Sequence, residues 1–175
     1  MTAVTPETLA TDALDLGGST LPALLLQRAE ATPTRVALRK QHLGIWQQYT
    51  WATYAERAAA VGLGLRALGV EPGDRVAVHS LNRPAWALAD MGSQGIGAVC
   101  VGIYPTSPAA EVEYLLDHSG AKVLVAEDEE QVDKALEVRD RLPGLYRIVV
   151  IDPRGVDLAD EQLMTLAELE ALGRD

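Results

Sequence analysis

VAVHSLNRPAWALADMGSQGIGAVCVGIYPTSPAAEVEYLLDHSGAK, residues Val76 to Lys122, is the stretch whose reading decides the fold. An apolar run at Val76–Val78 opens into a polar elbow of His79, Ser80, Asn82, Arg83 and Pro84. An Ala-rich segment of helix length follows, and a second apolar run, Val99–Ile103, breaks at Tyr104-Pro105-Thr106. Short runs of buried-type residues separated by helix-length segments describe a βαβ unit, because parallel strands must be joined by a crossover over the face of the sheet.

Downstream, Ser107 with Pro108 at the first helical position and Glu111 in the first turn starts a helix that buries Val112, Leu115 and Leu116, and Gly120 stops it. Lys122–Ala126 reads as a strand, Glu129–Leu142 as a helix, Ile148–Ile151 as a strand, and Met164–Leu172 as a last short helix that Thr165 caps from within. Upstream, Glu71-Pro72-Gly73-Asp74 is a tight turn into a strand at Arg75–Val78. Before it, Thr50 caps a long helix with Trp51, Tyr54, Ala58, Val61, Leu65 and Leu68 on one stripe, ended by Gly69. Earlier still, Val36–Arg39 and Ile45–Tyr49 form a hairpin around Gly44, and Thr20 caps a helix whose Leu21, Leu24, Leu25 and Ala29 share a face. Pro22 is tolerated in its first turn, and Pro33 ends it.

The expected fold class is therefore α/β. A mostly parallel sheet of four strands, alternating with three helices after residue 70, carries helices on both faces and is preceded by a helix and a β-hairpin. Residues 1–19, closed by Gly17-Gly18-Ser19, are expected to be a flexible lead-in, and residues 20–175 a single unit.

With 175 residues, 48% hydrophobic and 23% charged, the chain has the composition of an ordinary globular domain able to bury a core. No run approaches the ~20 apolar residues of a transmembrane helix and the start has no basic, apolar leader, so the expectation is a soluble, cytoplasmic protein with no transmembrane segment. The net charge of −10 is unevenly placed: residues 1–110 carry eight acidic and eight basic side chains, residues 111–175 seventeen and seven. Nucleic acid is excluded as a partner, since phosphate backbones require a basic footprint. The single cysteine, Cys100, sits inside the run Val99–Ile103 and reads as a small buried hydrophobe, and His42, His79 and His118 are too scattered to form a metal site.

Motifs of nucleotide chemistry fail on spacing. Gly92, Gly95 and Gly97 reverse the dinucleotide fingerprint, Gly62, Gly64 and Gly69 fall in a helix, and none of Lys40, Lys122 and Lys134 follows a phosphate-cradling loop. His79-Ser80 is the one adjacent base and hydroxyl at a strand end, but Ser80 lacks the glycines of a nucleophile elbow and reads as a capping or loop residue. Parallel sheets bind ligands beyond the carboxyl ends of their strands, which here are His79 to Asn82, Tyr104 to Thr106, Glu127-Asp128 and Asp152-Pro153. No catalytic residue and no metal ligand is assigned. His79, Ser80, Asn82, Tyr104 and Thr106 stand as weak strand-end candidates for ligand contact.

Three segments together resemble a known family: Ser80-Leu-Asn-Arg-Pro-Ala-Trp86, Gly95 through Tyr104-Pro-Thr-Ser107, and Glu111 through Tyr114, Asp117 and Ser119 to Lys122. They are similar to the N-terminal part of the adenylate-forming acyl-CoA synthetases, and Tyr104-Pro-Thr most resembles the long-chain fatty acid branch. Thr50-Trp-Ala-Thr-Tyr54-Ala-Glu56 resembles the family's first core motif and Gly95 through Pro105 its second, so the likeness runs from about Leu21 to Gly173. The resemblance implies a parent enzyme in which a fatty acid carboxylate attacks Mg-ATP to give an acyl-adenylate and pyrophosphate, after which CoA displaces AMP. The family's phosphate-binding loop, its ribose-binding Asp, its hinge and its C-terminal catalytic Lys would all follow Asp175. This chain would then be an N-terminal segment, inactive alone, that uses no cofactor itself, with the remainder of the synthetase as partner and an incomplete sheet through which it self-associates. The other reading is a free-standing α/β binding or interaction module without catalysis.

Overall fold

The structure, a computed structural model, describes residues 19–175. The expected lead-in therefore lies outside the described residues except for Ser19. Helix α1 (Leu21–Ala31) is capped by Thr20, whose side chain accepts from the Ala23 N–H at 3.3 Å. Strands β1 (Val36–His42) and β2 (Ile45–Thr50) pair antiparallel as a separate hairpin. Thr50 then caps the 17-residue helix α2 (Trp51–Ala67), again by accepting from the N–H three residues on.

The main sheet alternates with helices as expected: β3 (Arg75–His79), α3 (Pro84–Gly95), β4 (Val99–Ile103), α4 (Ala109–Ser119), β5 (Ala121–Ala126), α5 (Glu129–Val138), β6 (Arg147–Val150). A three-residue strand, β7 (Leu163–Thr165), follows and leads directly into α6 (Leu166–Leu172). All neighbours are parallel, in the order β4-β3-β5-β6-β7.

Alternation along each strand splits the core in two. Val76, Val78, Val123, Val125 and Val149 face one layer with α1, α2, α3 and α6, while Ala77, Leu124, Ala126, Ile148 and Val150 face the other with α4 and α5. These ten residues are wholly buried, as strands covered on both faces must be. The first layer is unusually close. A Cβ at Gly62 would lie 2.7 Å from the Gly92 carbonyl oxygen of α3, and one at Gly64 would lie 2.2 Å from the Leu169 carbonyl oxygen of α6. The helix glycines that fail as a nucleotide fingerprint thus let three helices approach backbone to backbone.

Four boundaries differ from the sequence reading. The sheet has five strands rather than four, because Leu163–Thr165 pairs with Ile148–Val150 before the last helix begins. Thr165 accordingly caps α6 from its N-cap position, in a reciprocal box with Glu168. Pro108 is the N-cap of α4 rather than its first helical residue, its extended ψ of 162° holding it outside the helix. The helix expected to reach Leu142 stops at Val138 and tightens into a single 3-10 turn, Arg139–Arg141. Gly120 ends α4 as read, in the left-handed conformation at φ 61°.

Candidate functional site

Parallel registry puts His79, Ile103, Ala126 and Val150 in one row, so the four strand ends converge on one edge of the sheet. At the centre of that edge is Glu127, the first residue after β5 and only 3% exposed. Its carboxylate accepts from the Leu81 N–H at 2.6 Å and from the Ser80 hydroxyl at 3.0 Å, and it forms an ion pair with Arg83. Its own N–H donates to the His79 carbonyl, and its carbonyl accepts from the Asp152 N–H at 2.8 Å. The carboxylate therefore ties the end of β5 to the loop after β3 and the start of α3, while the Glu127 main chain joins it to the loop after β6. Ser80 is held by this carboxylate and does not cap α3, which begins at Arg83-Pro84 with no side-chain cap.

His79 is fully buried on the α4/α5 side, and neither ring nitrogen makes a hydrogen bond of normal geometry. Burial and then the charge of Lys134 hold its pKa below the ordinary histidine value, against a smaller opposite pull from the nearby Tyr104 backbone, Glu130 and Asp128. Lys134 itself spans from α5 to the β4 loop, donating to the Pro105 carbonyl at 2.9 Å and to Glu130 at 2.8 Å. The remaining candidates point elsewhere: Asn82 and Thr106 are exposed, and Tyr104 is 81% exposed. The structure thus brings His79 and Ser80 to the interior of the sheet edge and leaves Asn82, Tyr104 and Thr106 on its rim.

Two clefts open at this edge. One, of about 370 Å³, lies between Arg83, Asp128, Glu129, Glu130, Asp152 and Arg154. Arg154 grips Asp152 with contacts of 2.6 to 3.1 Å and lowers its pKa to about 2. With four carboxylates to two guanidiniums, this cleft carries the wrong sign for a triphosphate. Among the described residues no three His, Cys, Asp or Glu side chains lie together as metal ligands. Cys100 is half-buried, and burial followed by the neighbouring Asp90 pushes its thiol up to about 12, which keeps it an un-ionised packing group.

The second cleft was not foreseen from the sequence. It lies between the hairpin, the start of α3 and α6, and gathers Lys40, Arg57, Arg83 and Arg174 around Glu170. Glu170 is 4% exposed and accepts from Arg57 at 2.5 to 3.2 Å and from Arg174 at 2.9 Å. The Arg57 guanidinium also lies 5.7 Å over the Tyr49 ring, and its hydrogen bonds to Glu170 outweigh burial and raise its pKa. No local motif joins residues from 40 to 174. The one signal in the sequence was an acid set directly after an apolar strand, at Glu127.

The sequence profile of the AMP-binding enzymes matches residues 25–170. The chain is 34% identical over 138 residues to the long-chain-fatty-acid–CoA ligase FadD15 of Mycobacterium bovis, covering 79% of this chain and 23% of that protein. It is also 37% identical over 120 residues to the uncharacterized protein Rv1549 of Mycobacterium tuberculosis, covering 69% of this chain and 65% of that one. Among solved structures, the acetoacetyl-CoA synthetase of Streptomyces lividans superposes with a TM-score of 0.75 at 26% identity, over 86% of this chain and 24% of that one. The anthranilate CoA ligase AuaEII, solved in complex with anthranoyl-AMP, superposes with a TM-score of 0.69 at 28% identity, over 74% and 24%. The chain spans about a quarter of the length of the CoA ligases it matches.

Proposed function

Because the chain belongs to the AMP-binding enzyme family, we propose that it is an N-terminal segment of a long-chain fatty acid CoA ligase, inert by itself. The parent would convert a fatty acid, ATP and CoA to acyl-CoA, AMP and pyrophosphate in the cytoplasm. The observation that carries this reading is the likeness to FadD15, which extends through four-fifths of this chain and only 23% of that ligase. The surroundings of the strand ends support the inert part of the proposal. Holding a triphosphate takes converging N–H donors, a cation on the phosphates and an oxygen ligand for the metal, and the acidic cleft around Asp152, with four carboxylates to two guanidiniums, repels the phosphates themselves.

A free-standing binding module is the second reading, favoured by Rv1549. Nearly equal coverage of the two chains gives that relative a length close to this one's.

Fatty-acid-dependent exchange of pyrophosphate into ATP tests the first reading on purified protein. The 175-residue chain should show no exchange above background and no micromolar affinity for Mg-ATP. Exchange that disappears on altering His79, Ser80 or Thr106 would overturn it. Reading the gene past the codon for Asp175 separates the two: continued coding into a Ser/Thr/Gly-rich loop supports the ligase segment, and a stop codon supports the module.

A further inference from the structure

The cationic cleft has no part in the ligase reading and stands in contrast to the rest of the molecule. On a chain of net charge −10, four basic side chains, from β1, α2, the start of α3 and the residues after α6, meet around a single carboxylate. Glu170 occupies Arg57 and shares Arg174, and Arg83 is turned toward Glu127. Lys40 makes no hydrogen bond or ion pair among the described residues. Beneath these charges the wall is apolar, formed by Leu88, Leu166 and Ile151, the first two buried. The accessible space is about 270 Å³, at the small end of ligand pockets.

We propose that this cleft binds a small organic anion, with a carboxylate or phosphate head held by Lys40 and Arg174 and a compact apolar body laid against Leu88, Ile151 and Leu166. The head completes a charge balance that the protein leaves open: with Arg83 paired to Glu127 and Glu170 shared by Arg57 and Arg174, the four cations of the cleft meet two carboxylates. Charge-assisted donors of this kind are strongest where the surroundings are partly desolvated, and here the buried Leu88 and Leu166 provide that setting. The Tyr49 ring, with the Arg57 guanidinium 5.7 Å over it, also lines the cleft, and the small volume limits the body to a ring or a short chain.

Calorimetric titration with benzoate and phenyl phosphate tests this, since the two share a body and differ in the head. Saturable binding of at least one, with Kd of about 1 mM or tighter, is the expected result, and the tighter of the two identifies the head. Lys40→Ala and Arg174→Ala should each weaken it roughly tenfold, the loss of one charged hydrogen bond. Both variants should keep the thermal midpoint, because the Lys40 side chain has no partner among the described residues and Arg57 still holds Glu170. Arg141→Ala removes the same unit of charge from the α4/α5 side, where Arg141 pairs with Glu113, and should leave binding unchanged. The proposal is overturned if neither compound saturates, or if Arg141→Ala weakens binding as much as Lys40→Ala does. Inorganic phosphate binding as tightly as phenyl phosphate would equally overturn the role given to the apolar wall.

Discussion

Removing the Glu127 carboxylate should cost more stability than any other single polar change at the sheet edge. The side chain is 3% exposed and satisfies the Leu81 N–H and the Ser80 hydroxyl while neutralising Arg83. A hydrogen bond to a charged group contributes about 1.5–3 kcal/mol, and breaking a buried pair from one side costs about 3–5 kcal/mol. Arg83 keeps a third of its side chain in water and can turn outward, which discounts the pair toward the low end. Glu127→Ala should therefore lose about 3–4 kcal/mol, which for a chain of this size lowers the melting midpoint by roughly 10 °C. Glu127→Gln preserves an acceptor for Leu81 but sets an amide donor against Arg83, and should lose about half as much. Urea unfolding followed by circular dichroism gives the loss, and hydrogen exchange at the Leu81 amide reports whether the elbow itself opens. A loss below about 1 kcal/mol in Glu127→Ala, with Leu81 still protected, would refute the view that this carboxylate holds the elbow after β3 against the end of β5.

His79 should make the fold acid-sensitive: its folded pKa lies below 6.5, so the unfolded chain takes up a proton first and stability falls as pH drops below about 6.5, by up to ~1.4 kcal/mol per pH unit. His79→Leu should flatten that slope between pH 6.5 and 5 in urea midpoints, and an unchanged slope would show that other groups set it. Gly64→Ala should destabilise by about 1–3 kcal/mol despite the higher helix propensity of alanine, since the new methyl meets the Leu169 carbonyl, which cannot rotate away. A gain in melting temperature would count against the close approach of α2 and α6. Strand β4 pairs on one side only among the described residues, carries no charge or proline, and exposes Val99 by half, so the chain should associate through this edge. Sedimentation should show dimers or larger species that Val99→Lys reduces, and a monomer at all concentrations, binding no hydrophobic dye, would exclude this.

Much of the fold was legible because its signals are local. Thr20, Thr50 and Thr165 cap helices through bonds to residues three positions on, Gly120 ends α4 by adopting positive φ, and apolar runs at strand length mark β3 to β6. Each of these is written within a few residues, and so was the family resemblance in the elbow and the Tyr104-Pro-Thr turn. The sheet order was not legible, because which strand lies beside which depends on packing across the whole chain. Nor was β7, whose three residues are too few to display a period of two and exist as a strand only by pairing with β6.

Among the candidate residues the sequence marked positions at strand ends, and tertiary structure alone decided their use, burying His79 and Ser80 while leaving Tyr104 in solvent. It also recruited Glu127 as the centre of that edge and joined Arg57 to Glu170 across 113 residues. Charge pattern along the chain describes an acidic protein. Only folding shows that four of its scattered basic groups meet in one cleft, because a charge acts over a few ångströms of space whatever its separation in sequence.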